Sequence, residues 1–159
     1  MKKIVWIFAL ISFISCKKEG VSTVNNGTEI WFKNAAGVNL LNSTEINAIR
    51  SADIDIFLLQ NGAKVRVNRP MMDLNESFRI TPTSQGDLMT LYFDIMPESM
   101  QQNRVTMFIR YQDGSEDKLM GEFNSDRSSA VYLEKVWVND VLKWSPSPGK
   151  GSALVEIIK

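Results

Sequence analysis

Five consecutive residues, Asp113-Gly114-Ser115-Glu116-Asp117, place three carboxylates in one short segment. A calcium ion takes roughly six to eight oxygen ligands, and acidic turns can supply them. Asp113, Glu116 and Asp117 are therefore the calcium candidates, with Asp126 a further ligand if the fold brings it close. Their spacing departs from the EF-hand loop, and Asp-Gly is equally a hairpin turn, so a solvated turn accounts for the same residues. Two carboxylate pairs invite a second chemistry. Asp53 and Asp55 lie two apart, on one face of a strand, and Asp94 and Glu98 flank a strand end. Two carboxyl groups held about 5–9.5 Å apart can hydrolyse a glycoside. No feature of the sequence sets that distance, and aspartates beside apolar strands are ordinary surface residues.

Aromatic and sulfur side chains offer binding rather than catalysis. Trp137 and Trp144 fall on two adjacent strands around Asn139-Asp140. If both rings face outward they make a platform for a glycan or a protein, since aromatic residues are enriched at binding surfaces. If they face inward they are core. Met71, Met72, Met89, Met96, Met100, Met107 and Met120 show no regular spacing of the kind a copper(I) site would use. Pro148-Gly149-Lys150-Gly151-Ser152 echoes a phosphate-binding loop. It lacks the glycine five residues earlier, where Trp144 stands, and has Gly151 where Ser or Thr should follow the lysine.

The composition removes other chemistries. The chain has no histidine, so it lacks the commonest general acid–base group and metal ligand. A Ser-His-Asp triad is impossible. Equal numbers of basic and acidic residues, 18 each, give no basic stripe for nucleic acid. The densest basic cluster, Lys64, Arg66 and Arg69, reads as a solvated strand edge. No metal, cofactor or nucleic-acid partner is expected, and the chain is not expected to be an enzyme.

The single cysteine carries the most specific signal. Met1-Lys2-Lys3 is a short positive start, and Ile4 to Ile14 is an uncharged, mostly apolar run. That run is too short to span a bilayer, which takes about 20 apolar residues. Positive start, short apolar run and small residue make a secretory signal peptide. Phe13-Ile14-Ser15-Cys16 then resembles a lipobox, with Phe13 where the family most often has Leu. The resemblance implies cleavage between Ser15 and Cys16 and a diacylglyceryl group on the Cys16 sulfur. The form of the box and the adjoining Lys17-Lys18-Glu19 are similar to small Bacteroidetes-type lipoproteins. Trp31-Phe32-Lys33-Asn34-Ala35-Ala36-Gly37-Val38-Asn39-Leu40-Leu41 also resembles the strand, Gly turn and Leu-Leu step that open such domains. The resemblance further implies a membrane partner through the lipid anchor, at the cell envelope and on the outer membrane, with periplasmic and surface faces both open. Several acyl chains hold a protein stably where one gives only marginal binding.

The elements that must position all these residues are strands. Residues 1–15 are read as signal peptide and 16–28, polar and rich in Gly, Asn and Ser, as a flexible tether. Residues 29–159 form one domain of ordinary size. Within it, strands are predicted at Glu29–Lys33, Ile54–Gln60, Lys64–Val67, Ser77–Thr81, Leu88–Ile95, Arg104–Gln112, Asp117–Phe123, Val131–Val138, Val141–Trp144 and Ala153–Ile158. They are rich in Val, Ile, Phe, Tyr and Trp and bounded by turn residues such as Asn61-Gly62 and Asn139-Asp140. Met89, Leu91, Phe93 and Ile95 alternate with Thr90, Tyr92 and Asp94, the period of two of a half-buried antiparallel sheet. Ser43 to Ser51 is either a helical turn or irregular. The expected fold class is all-β, a single antiparallel β-sandwich, Ig-like or related, with a small β-barrel as the alternative. The expected role is a binding or assembly module for an envelope protein or glycan. The alternatives are an accessory subunit of an envelope complex and, last, a carboxylate-based glycosidase.

Overall fold

The computed structural model describes residues 23–67, 77–126, 130–146 and 152–159. The cleavage site Ser15-Cys16, Arg69, Met71, Met72 and the Gly149-Lys150 loop lie outside the described residues.

Twelve strands follow one another among the described residues: β1 (Thr23–Asn25), β2 (Gly27–Lys33), β3 (Asp55–Gln60), β4 (Ala63–Arg66), β5 (Phe78–Thr83), β6 (Gly86–Tyr92), β7 (Met100–Gln101), β8 (Arg104–Arg110), β9 (Glu116–Phe123), β10 (Ala130–Val138), β11 (Val141–Trp144) and β12 (Ala153–Ile158). The larger sheet has the order β1-β10-β9-β8-β3-β4, with β11 added to β10 and β7 to β8. The smaller sheet has the order β12-β2-β6-β5. Neither sheet closes on itself, so the architecture is a β-sandwich and not a barrel.

The ten predicted strands are all present, with ends shifted by up to three residues. Two more, β1 and the two-residue β7, join them. Two pairings are parallel, β1 with β10 and β12 with β2, so the sheets are mixed where pure antiparallel ones were expected. The domain also starts earlier than residue 29. Thr23–Asn25 hydrogen-bonds along β10, and Thr28 is fully buried, its hydroxyl donating to the Ala153 carbonyl at 3.1 Å. The polar composition of residues 23–28 suggested a tether, but their backbone groups find sheet partners, which any residue type can supply.

Alternation builds the core. On β8, Val105, Met107 and Ile109 are buried while Arg104, Thr106, Phe108 and Arg110 face out. On β9, Leu119, Gly121 and Phe123 point inward and Glu116, Lys118, Met120 and Glu122 outward. Ile30, Phe32, Met89, Leu91 and Phe93 of the smaller sheet meet them from the other side. Each such large side chain contributes about 1.5–3 kcal/mol when fully buried. Tight turns fix the register. Asn61-Gly62, Gln102-Asn103 and Asn139-Asp140 all hold positive φ at both central positions, the I′ geometry that matches strand twist.

Ser43 to Ser51 is irregular rather than a helical turn. Its chain is pinned by a bridge between Leu41 and Ile49, and one β-turn closes from the Ala48 amide to the Glu45 carbonyl at 3.0 Å. Leu40 and Leu41 are both buried and belong to the core.

Candidate binding face

The outer face of the larger sheet is where half-buried aromatic and apolar residues collect. Registers place Leu142 of β11 opposite Trp137 of β10, Trp137 opposite Met120 of β9, and Met120 opposite Thr106 of β8. Leu59 of β3 lies beside Thr106, and both line an open depression of about 410 Å³ with Met120, Ser99, Gln101, Gln102 and Arg104. A continuous strip thus crosses five strands at right angles to them. At about 4.8 Å per strand it is roughly 20 Å long. Leu142 is half exposed.

Cations hold the rings of this face. Arg104 lies 5.4 Å and Lys135 5.8 Å from the Trp137 ring centre. Both also bind one carboxylate, Glu122, at 2.6 Å and 2.5 Å. Higher on the same strand, Glu116 is bound by Lys64 and by Arg110, and these cations lie 3.9 Å over Phe108 and 4.0 Å over Phe57. The Lys135 hydrogen bond, more than that of Arg104, holds the Glu122 carboxyl below its ordinary value, and Lys64 and Arg110 do so for Glu116. Each carboxylate is shared by two cations, so each group of three carries a net positive charge. The ion pairs are mostly exposed, and such pairs stabilise a fold by about 1 kcal/mol or less.

Trp144 does not join Trp137. A bulge between Val136 and Trp137 brings Trp144 opposite Val136, an inward position, and its ring packs on the core. Of the two alternatives for this pair, Trp144 takes the core one, and the strip holds Trp137 alone of the two. Trp31 is buried.

The three calcium candidates diverge. Asp113 accepts hydrogen bonds from the Ser115 amide (2.9 Å) and hydroxyl (2.7 Å), closing the turn and lowering its own pKa. Glu116 points outward to its cations. Asp117, the next residue on the strand, points inward and is buried. Successive strand residues face opposite sides, so Glu116 and Asp117 cannot converge on one ion. Among the described residues, no group of three acidic side chains is placed to hold a metal.

Asp117 instead ties three elements together. It accepts hydrogen bonds from the Tyr111 hydroxyl (2.7 Å) and the Asn139 amide (2.7 Å), and pairs with Lys159 at 2.6 Å. Burial opposes its ionisation, but the bonds from Lys159, Asn139 and Tyr111 outweigh burial and keep its pKa below the ordinary carboxyl value. Burial first, then the Asp117 charge, pushes the Tyr111 phenol upward. Nothing in the sequence pairs these four residues. Of the four, only Asp117 stands out in the sequence, and for a different chemistry. Tyr111 and Lys159 border a second open depression of about 380 Å³, which Arg50, Asp53 and Asp113 also line. It lies by the β8–β9 turn, at the opposite end of the sandwich from Thr23, which pairs with Ala130 at the start of β10.

The carboxylate pairs do not form a cleft. Asp53 sits in a 3₁₀ turn, Ser51–Asp53, not on the strand with Asp55, and Asp55 pairs with Arg66. Asp94 is buried and caps the next turn, accepting from the Met96 amide (3.2 Å) and the Ser99 hydroxyl (3.1 Å). Met89 and Met107 are core, Met96 is half exposed, and Met120 belongs to the strip. No helix among the described residues is long and apolar enough to cross a membrane. No protein-family model, curated protein or solved structure matches the chain.

Proposed function

We propose that the chain is a lipid-anchored envelope protein whose larger sheet binds an envelope protein or glycan across the Trp137 strip. The observation that carries this reading is the strip itself: Leu142, Trp137, Met120, Thr106 and Leu59 in line, ending in the depression at Met120. Monomer surfaces scatter exposed apolar residues singly, whereas a contiguous patch rimmed by polar groups marks a contact surface. Interface centres are enriched in Trp and Met, with Arg among the hot spots. The lipid on Cys16 supplies the location, and the sandwich supplies a rigid surface there.

Two measurements test the two halves separately. Cys16→Ser is expected to abolish incorporation of labelled fatty acid and to release the domain from the membrane or leave the precursor uncut. Unchanged mass and membrane retention would overturn the anchor. Trp137→Ala is expected to strip at least half of the proteins or polysaccharides that co-purify with the protein from solubilised envelopes. Leu154→Ala, on the outer side of the smaller sheet, is expected to leave that set intact. The binding face is wrong if the two variants behave alike.

A further inference from the structure

We infer that the depression at Met120 takes an acidic oligosaccharide, with Arg104 meeting its carboxylate and Trp137 and Met120 carrying a sugar ring. The inference rests on the binding-face reading and names the ligand class for it.

Three observations point to that chemistry. The depression has one cation, Arg104, and no carboxylate among its lining residues. Its polar groups are Gln101, Gln102, Thr106 and Ser99, amides and hydroxyls that both donate and accept hydrogen bonds, as sugar hydroxyls require. Leu59 and Met120 line it, Trp137 lies beside Met120 across the β10–β9 ladder, and such apolar and aromatic side chains suit the apolar face of a pyranose. The volume, about 410 Å³, lies in the range of small-molecule sites.

Charge makes the ligand acidic. Arg104 and Lys135 share Glu122, so one positive charge is left over beside the depression. Glu122 already takes the Nε and Nη2 groups of Arg104 on one oxygen, so a ligand carboxylate meets the Nη1–Nη2 end of the guanidinium, in two parallel hydrogen bonds that an ammonium cannot make. Glu116, with Lys64 and Arg110, leaves a second positive charge six residues along β9, roughly 20 Å away on the same face. A chain bearing repeated carboxylates meets both. A peptide is the weaker fit. Extended peptides bind by adding to a strand edge, and β3, β8 and β9, which supply Leu59, Arg104, Thr106 and Met120 to the lining, are paired on both sides. The one edge there is that of β7, which is two residues long and pairs with β8 alone, too short for a ladder.

The test uses the full lipidated chain in detergent micelles. It is titrated with an oligogalacturonate, with the same oligosaccharide fully methyl-esterified, and with poly-L-glutamate. The free acid is expected to bind at least about tenfold tighter than the ester, the scale of one charge-assisted contact. The margin should narrow as salt is raised. Arg104→Gln is expected to erase the preference for the acid, so that acid and ester bind within about twofold of each other. Arg104→Lys is expected to recover only part of it. Thermal melts verify that both variants fold. Equal affinity for acid and ester, poly-L-glutamate binding as tightly as the uronate, or an Arg104→Gln variant with unchanged preference would each overturn the inference. If the uronate fails to bind but Trp137→Ala still strips envelope components, only the ligand class is wrong. If Trp137→Ala changes nothing, the face itself is wrong.

Discussion

Asp117→Ala is expected to lower the stability of the domain by about 3 kcal/mol, the scale for removing one partner of a buried ion pair. The loss is large because one carboxylate serves three donors. Without it the Tyr111 hydroxyl, itself in a buried residue, and the Asn139 amide lose their partner, and Lys159 loses its counter-charge. An orphaned buried donor costs about 1–3 kcal/mol. Lys159 recovers part of its share in water because its side chain is partly exposed. The thermal midpoint should fall by about 10 °C. The same group carries a pH signature. Its folded pKa lies below the unfolded value, so its contribution is complete above the unfolded carboxyl pKa of about 3.9 and is lost as pH falls through the folded value. Urea midpoints measured between pH 7 and pH 2 should converge for wild type and Asp117→Asn at the acid end. Parallel curves at all pH values would show that the carboxylate is not stabilising the fold.

Gly121→Val should cost as much by the opposite mechanism, crowding. Gly121 is buried on β9 between Val105 and Val136. A Cβ placed on it would lie 2.9 Å from Leu133 Cδ1 and 3.1 Å from two ring carbons of Phe93. Phe93 is itself fully buried and stands edge-on to Phe123, ring centres 6.0 Å apart, so its ring is confined by the core around it. Overpacking a dense core costs about 1–3 kcal/mol, and the β-branched side chain places Gly121→Val at the upper end. Gly121→Ala should cost less, because the end of Leu133 can turn away. The diagnostic is a double-mutant cycle. Phe93→Leu frees the volume, so Gly121→Ala should be markedly less harmful in that background than alone. Additive losses would mean the two residues do not share the space.

The strands were legible because their alternation is strong, and what escaped was whatever alternation does not record. β1 is Thr-Val-Asn with all three residues exposed. It holds its place by backbone hydrogen bonds to β10, which leave no pattern of side chains. β7 is two residues long, too short to show a period. The parallel direction of β1 and β12 is set by contacts more than 100 residues away in the chain. The site was half legible for a sharper reason. With the two-residue turn at Asn139-Asp140, regular pairing would set Trp144 opposite Lys135 on the outer face, beside Trp137. One extra residue in the bulge puts it opposite Val136 and turns it inward. A shift of one residue exchanges the faces of a strand, and nothing in Val141-Leu142-Lys143-Trp144 marks where it occurs. The partners of Asp117 were hidden likewise, since Tyr111, Asn139 and Lys159 come from three separate stretches.

The parallel ladder between β2 and β12 also governs the order of events during assembly. β2 lies centrally in the smaller sheet, between β6 and β12, and all six residues of β12 pair with it. A ribosome or translocation channel delivers β2 long before β12. For most of that interval one edge of β2 has no partner, and its inward residues Ile30 and Phe32 lack the cover of Val155 and Ile157. Distant pairings of this kind slow folding and lengthen the time in which a bare edge can capture another chain. The emergence of β12, more than any local step, should set when the smaller sheet becomes safe from aggregation.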